Sequence, residues 1–185
     1  TWVHLSLFLK PSGKGKLSKR DASEALKDGY SVFVKDLQDL GFIPEGVLNW
    51  IVLMGWGVAD DDVLSVQDMV KRFDLTRLTA SPAAINFSKL DHFNGTHIRL
   101  LSDTEFARRV KPFFTALQLP VEDASLARIA PLIKSRLTTL DDAPSMAGFF
   151  FRGDVQPDRA DLMPKGMSAE AASGILRESI GLIED

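Results

Sequence analysis

Residues 44–54 read Pro-Glu-Gly-Val-Leu-Asn-Trp-Ile-Val-Leu-Met, and this stretch decides the fold class. Proline suits the first turn of a helix, and the Gly-Trp-Gly run at 55–57 supplies an end. Apolar side chains at 47, 48, 51, 52 and 53 form a stripe that is too broad for a surface helix. We therefore predict a helix at the centre of a helical core.

Helical patterns continue on both sides of this stretch. Apolar spacing predicts a helix over 32–40 that stops at Gly41, and Ser65 with Asp68 resembles a capping box for a helix through residue 73. Ser88 is the predicted cap of a helix that ends at Gly95. Further helices are predicted at 103–119, 121–140 and 168–183.

The segment 2–9 is apolar and predicts a short strand, and glycine and proline after it predict a weakly ordered loop over 10–20. The expected fold class is mainly α, with a short N-terminal strand followed by a helical bundle. Thr1 opens directly on this strand without a methionine or a leader, so we expect a larger protein upstream.

Composition sets limits on the function. The 185 residues suffice for one domain or for two small ones, and we expect two domains. A composition of 45% hydrophobic and 25% charged residues is ordinary for a soluble globular protein. No apolar run approaches the roughly 18 residues of a membrane span, so no membrane partner is expected. The absence of cysteine excludes disulfides and thiolate zinc sites, and it is consistent with a cytoplasmic or organelle-matrix location.

The net charge of −3 argues against a uniformly basic nucleic-acid coat, and no DNA partner is expected. Basic residues are concentrated between 10 and 27, around the loop. There Lys16-Leu17-Ser18-Lys19-Arg20 follows two glycines, and cations on a hinged loop suit a triphosphate. Considered alone, the pentapeptide is better explained as a solvated basic turn, and only its context favours a triphosphate. A P-loop is excluded, because Gly13 and Gly15 are too close together and leucine follows Lys16.

The pentapeptide resembles the KMSKS-type signature of class I aminoacyl-tRNA synthetases, in the KLSKR form of glutamyl-tRNA synthetases. The resemblance covers about residues 5–101, and in the remainder it lies in helical character and the aromatic run 149–151. His92 and the pair Thr96-His97 depart from the family's aromatic and acidic-aromatic residues. The blocks that carry the resemblance are Gly29-Tyr30, Gly41-Phe42-Ile43-Pro44-Glu45, Leu48-Asn49-Trp50, Met54-Gly55-Trp56, Phe73-Asp74-Leu75, Ser81-Pro82-Ala83, Lys89-Leu90-Asp91, Asn94-Gly95 and Ile98-Arg99.

This resemblance implies two domains: 1–80, the end of the catalytic region with the signature loop and a stem-contact fold, and 81–185, part of a helical anticodon-binding domain. It implies a parent enzyme that ligates L-glutamate to tRNA(Glu) with ATP, in which Mg²⁺ accompanies the nucleotide. The chain contains no His-x-Gly-His element, so we expect the isolated chain to be inactive. The alternatives are a stand-alone tRNA-binding or interaction module, and a fragment of a glutaminyl- or cysteinyl-tRNA synthetase.

The resemblance also assigns roles to loop residues. It implies that Lys19 is the catalytic lysine that contacts ATP, that Lys16 is its looser partner, and that Ser18 donates a hydrogen bond to the nucleotide. A positioned ammonium stabilises charge that develops as pyrophosphate leaves. Arg20 either shares this contact or anchors the loop to an acidic neighbour.

Candidate phosphate contacts for tRNA lie on the predicted helices of the second half, although a solvated helix face accounts for any single one. They are Arg108, Arg109, Lys111, Arg128, Lys134 and Arg136. No metal site is predicted: His92 and His97 have poor ligand spacing, and 60–62 is more typical of a polar loop. Trp50 and Trp56 are predicted core residues.

Overall fold

The computed structural model describes residues 2–18, 20–21, 30–57, 63–153, 156–158 and 160–184. They form two compact units, Thr1–Phe151 and Arg152–Asp185. The mainly α prediction is confirmed. Within the described residues the helices are α1 (Val34–Asp39), α2 (Pro44–Gly55), α3 (Val66–Arg72), α4 (Phe87–Leu100), α5 (Asp103–Ala116), α6 (Asp123–Ile133), α7 (Ala143–Ala147) and α8 (Ala169–Glu184).

Two short strands lie beside the helices. β1 (Phe8–Leu9) pairs in parallel with β2 (Ala83–Ala84), with Phe8 opposite Ala83. The predicted strand over 2–9 was therefore too long. Of residues 2–9, only the two residues of β1 pair with β2, and the segment before them keeps its apolar side chains largely exposed.

Helix α4 is shared by two hydrophobic cores of the first unit. Its Leu90 and Phe93 join the first core, with Leu37, Phe42 and Trp50. Its Ile98 joins the second core, which is built largely from α5, α6 and α7. The predicted domain boundary at 80/81 falls inside this compact unit and stays a prediction about domain organisation.

Helix α2 is less central than its sequence predicted. It buries Gly46, Asn49 and Trp50, whereas Leu48 and Ile51 remain 38% and 41% exposed. Ile51 lines a small surface slot together with Leu5 and other residues that precede β1. The broad apolar stripe thus covers a core on one side and a surface slot on the other.

The predicted ends of α4 were wrong at both sides. The N-cap is Asn86, whose side chain accepts from the Lys89 amide at 3.0 Å, and the helix continues through Gly95 to Leu100. A Cβ at Gly95 would lie 3.1 Å from the Leu137 carbonyl oxygen. This glycine therefore serves close packing of another segment and does not end the helix.

Helices α5 and α6 are shorter than predicted. Helix α5 stops at Ala116 because Gln118 adopts a left-handed backbone with φ 57°. The Leu119 amide then donates a hydrogen bond back to the Phe114 carbonyl at 3.2 Å, which closes the end of the helix. Helix α6 gives way to a 3₁₀ turn at Lys134–Arg136. The chain then extends, and the Thr138 carbonyl accepts from the Asn94 side chain at 2.6 Å.

The second unit contains α8, close to the predicted 168–183. The Ser168 hydroxyl accepts from the Ala171 amide at 3.2 Å, as expected of a residue at a helix start. Among the helices of the described residues, none is long and apolar enough to cross a membrane.

Candidate functional site

The segment that follows β1 is a tight turn. Gly13 and Gly15 adopt left-handed backbones with φ 73° and 80°, which glycine adopts without steric cost. Lys10 closes the turn: its amide donates to the Gly15 carbonyl at 3.1 Å, and its carbonyl accepts from Gly13 at 2.8 Å. We predicted a weakly ordered loop over 10–20, and its described part is a hydrogen-bonded turn.

Beyond the turn, the signature runs back along β1. Lys16 pairs with Leu9 in an antiparallel bridge, and the Leu17 amide donates to the Phe8 carbonyl at 3.1 Å. Leu17 packs against the first core, while Lys16 is exposed. The apolar residue of the signature therefore anchors the loop, and the lysine before it faces solvent. Lys19 lies outside the described residues.

Asp21 organises the end of the signature. Its carboxylate accepts from the Ser18 amide at 2.9 Å and from the Ser18 hydroxyl at 2.5 Å. The same carboxylate pairs with the Lys10 ammonium at 2.7 Å. Lys10, followed by the two Ser18 donors, lowers the pKa of Asp21 to about 2. Sequence reasoning missed Asp21, although Ser-x-x-Asp is a recognisable capping pattern.

The predicted roles of Ser18 and Arg20 stay predictions, and the structure shows what each residue contacts. The Ser18 hydroxyl is engaged with Asp21, so a hydrogen bond from it to a nucleotide requires that contact to open. Arg20 is exposed and forms no ion pair with another described residue. Within the part of the loop that the structure describes, the acidic anchor is bound by Lys10.

Four of the six predicted tRNA-contacting residues are held by acidic partners. Arg108 pairs with Glu105 at 2.7 Å, Lys111 with Asp123 at 2.6 Å, and Lys134 with Asp103 at 2.7 Å. The Lys134 ammonium also donates to the Leu101 carbonyl at 2.6 Å, and its side chain is only 15% exposed. Lys134 is therefore a structural contact between α5 and the end of α6.

Arg109 makes the most contacts with acidic side chains of the six. Its two terminal nitrogens donate to the two oxygens of Glu45, both at 2.8 Å, and its Nε donates to Glu105. Arg109 lowers the pKa of Glu45, and Arg108 and Arg109 together lower the pKa of Glu105 to about 2. This guanidinium joins the first turn of α2 to α5.

Arg128 and Arg136 are exposed, and neither forms an ion pair within the described part of the chain. Arg128 lines a surface cavity of about 360 Å³ together with Leu132, Phe150 and Phe151. These two arginines are therefore the predicted cations most available to an external phosphate.

The remaining sequence candidates have structural roles. Trp50 and Trp56 are both 4% exposed, as predicted for core residues. His97 is buried, and its Nε2 lies 2.9 Å from the Asn49 Oδ1, while His92 stands exposed with its ring against Phe93. Residues 60–62 lie outside the described residues, among which no cluster of metal-binding side chains occurs.

Two family models match this chain, one over its first half and one over its second half. The model described as tRNA synthetases class I (E and Q), catalytic domain, covers residues 1–92, including the turn and the Asp21 network. The model described as anticodon binding domain covers residues 105–185, including α5 and α6. The chain is 38% identical over 196 residues to a glutamate–tRNA ligase of Mycobacterium sp. (strain KMS), an alignment that covers the whole chain. The chain belongs to the glutamate–tRNA ligase family.

Other members of this family agree. The glutamate–tRNA ligase of Paenarthrobacter aurescens is 36% identical over 167 residues, covering 86% of this chain and 31% of that protein. A crystal structure of a glutamate tRNA ligase from Elizabethkingia meningosepticum superposes with a TM-score of 0.75 at 30% identity, covering 95% of this chain and 36% of that one. The chain thus spans roughly a third of the length of the family members it matches.

Proposed function

We propose that this chain is the part of a glutamate–tRNA ligase that supplies the ATP-contacting loop and the beginning of the tRNA-binding helical region. The observation that carries the proposal is the coincidence of the signature turn, anchored by Leu17, with the match to the synthetase catalytic model. In the parent enzyme, L-glutamate and ATP form an adenylate, the acyl group passes to tRNA(Glu), and AMP and pyrophosphate are released.

The loop residues contribute charge to the first of these steps. As the glutamate carboxylate attacks the α-phosphate, negative charge accumulates on the departing pyrophosphate. We propose that the ammonium groups of Lys19 and Lys16 stabilise this charge. Mg²⁺ enters with ATP, and we propose no metal site within these residues. A cytoplasmic location also remains a prediction.

The proposed partner of the helical half is tRNA, which the anticodon-binding match supports. We narrow the predicted contacts to Arg128 and Arg136, because the other four cations are neutralised by carboxylates of the same chain. The catalytic model also includes glutamine enzymes, so glutamine is the competing amino acid for the parent.

The test is amino-acid-dependent exchange of pyrophosphate into ATP by the full-length parent, with tRNA present. We expect exchange with glutamate and not with glutamine or cysteine. Lys19→Ala should reduce the exchange rate roughly a hundred- to a thousandfold, by analogy with the loss of one transition-state donor, and Lys16→Ala should reduce it less. Lys19→Arg should recover only part of the rate, because a planar fork replaces a compact ammonium.

Lys35→Ala is the matched control, since Lys35 is an exposed lysine of α1 that pairs with Asp39. It should retain the wild-type exchange rate. Wild-type exchange in a folded Lys19→Ala variant would remove the loop from the mechanism, and exchange with glutamine alone would reassign the parent to that amino acid.

A further inference from the structure

Asp21 connects the two ends of the signature turn. At the near end its carboxylate binds the Lys10 ammonium at 2.7 Å, and at the far end it accepts from both donors of Ser18. The Asp21 amide in turn points to the Ser18 hydroxyl at 3.3 Å, which completes a reciprocal cap. One carboxylate therefore ties the start of the turn to the signature itself.

The turn needs such a connection for two reasons. Its cations Lys10, Lys14, Lys16 and Arg20 lie within a short stretch and repel one another. The left-handed Gly13 and Gly15 remove steric restraints on the backbone, so the loop gains many competing conformations when its side-chain contacts are lost. Asp21 offsets both effects, because it neutralises Lys10 and fixes the backbone at Ser18.

We infer that Asp21 is a positioning residue for adenylate formation: by fixing the backbone at Ser18 and neutralising Lys10, it favours the arrangement of the loop from which the signature lysines serve the nucleotide phosphates. This inference rests on the function proposed above. A reacting group must be held within a fraction of an ångström, and misplacement by about 1 Å can cost roughly a hundredfold in rate. Asp21 acts through Ser18 and Lys10 and has no contact with substrate assigned to it.

A substitution series separates the two contacts. Asp21→Ala removes both, Asp21→Asn keeps an acceptor for Ser18 but loses the charge that pairs with Lys10, and Asp21→Glu keeps a carboxylate at a position where capping boxes commonly use glutamate. Lys10→Met, alone and with Asp21→Asn, tests the ion pair. Asp39→Ala removes an exposed carboxylate that pairs with Lys35 outside the turn, and it serves as the matched control.

The assay is glutamate-dependent pyrophosphate exchange by the full-length parent, with KM measured for ATP and for glutamate. We expect Asp21→Ala to lose roughly ten- to a hundredfold in kcat and to raise KM for ATP, with KM for glutamate and Tm unchanged. Asp21→Glu should recover most of the rate, Asp21→Asn should lie between, and the Lys10→Met Asp21→Asn pair should be no slower than its slower single variant.

Wild-type kinetics in Asp21→Ala would overturn the inference. So would equal changes in both KM values with a lowered Tm, which indicate a general structural loss, or a glutamate variant as slow as the alanine variant. The same assay separates this inference from the proposed function. If wild type is active and only Lys19→Ala is impaired, the Asp21 role alone fails; if wild type shows no glutamate-dependent exchange, the proposed function fails.

Discussion

Asn94 and Asn49 are buried amides that satisfy backbone groups outside the helices. Asn94 accepts from the Ile43 amide at 2.8 Å and donates to the Thr138 carbonyl at 2.6 Å. Asn49 accepts from the Leu64 amide at 2.8 Å. Without these partners the amides of the buried residues Ile43 and Leu64 would be unpaired, at a cost of about 1–3 kcal/mol each. Both side chains therefore fix the paths of loops.

His97 makes stability depend on pH near neutrality. Burial lowers its pKa, and Glu45 opposes this shift less strongly. The unfolded chain takes up a proton near pH 6.5, whereas the folded chain resists it, so stability is present above about pH 6.5 and falls as the pH is lowered. We expect the urea concentration at the unfolding midpoint to decrease when the pH is lowered from 7.5 to 5.5, and to decrease less in His97→Gln.

The control for this measurement is His92→Gln, at an exposed position of the same helix. It should retain the wild-type difference between the two midpoints. A His97→Gln variant with an undiminished difference would assign the pH dependence to other groups.

Sequence predicted the signature loop at residue scale but not the contacts that shape it. The motif identifies Lys16, Leu17 and Ser18 because their order is specific. The pairing of Asp21 with Lys10 depends on a turn that brings residues 10 and 21 together, and no local pattern specifies which of several lysines is chosen. Buried amides are equally difficult, because Asn94 and Thr138 are 44 residues apart in sequence.

Arg109 makes an ion pair between α5 and the first turn of α2. Arg109 is only 21% exposed and binds Glu45 through both terminal nitrogens. Its loss leaves the partly buried Glu45 carboxylate without its partner, while Glu105 keeps Arg108, so Arg109→Ala should lower the free energy of unfolding by about 2 kcal/mol, between the values for surface and buried pairs. Denaturant unfolding of the variant at neutral pH measures this.

Arg108→Ala provides the comparison on the same helix. Its side chain is 67% exposed and pairs only with Glu105 among the described residues, so its removal should lower the free energy of unfolding much less than the removal of Arg109 does. Arg109→Lys should fall between the two alanine variants, since it keeps the charge but loses the bidentate fork. Equal effects of the two alanine substitutions would show that the α2 contact adds nothing to stability.

At the scale of elements, the existence of the helices was predictable and their ends were not. Apolar periodicity indicated α1, α2 and α5 because each keeps one face against other residues, and it indicated α8 although most apolar side chains of that helix are exposed. The ends follow tertiary contacts. Helix α4 passes through Gly95 because the Leu137 carbonyl packs there, and the chain beyond α6 extends to present the Thr138 carbonyl to Asn94.

At the scale of the whole molecule, RNA binding should depend on which cations are free of internal partners. In the full-length parent, the double variant Arg128→Ala, Arg136→Ala should bind tRNA more weakly. The slope of log affinity against log salt concentration should become shallower by roughly one for each lost phosphate contact. Filter binding across a series of salt concentrations measures both quantities.

The matched double variant is Arg108→Ala with Lys111→Ala, whose cations are held by Glu105 and Asp123. It should reduce the salt dependence less than the first pair. If the paired cations prove the more important, tRNA must displace the carboxylates, and the sequence-based set of six would be the better prediction.

The sequence predicted the family and the order of its parts, because the signature and the blocks after it occur in a specific series. It did not predict that α4 would belong to two cores at once. That arrangement follows from Leu90 and Phe93 facing one group of helices while Ile98, further along the same helix, faces another. Periodicity shows that a helix has apolar faces, but not which partners they meet.

Residues 41–43 lie so close to residues 138–141 that the two stretches must come from the same or a compatible parent sequence. The Gly41 carbonyl accepts from the Leu140 amide at 2.9 Å, and a Cβ on Gly41 would lie 2.4 Å from the Asp141 nitrogen. A chimera that joins two related enzymes near residue 80 would bring these stretches from different parents. Such chimeras should tolerate the exchange only where both parents have glycine at position 41 and asparagine at position 94. This contact therefore limits recombination between related enzymes, although it joins two stretches that match separate family models.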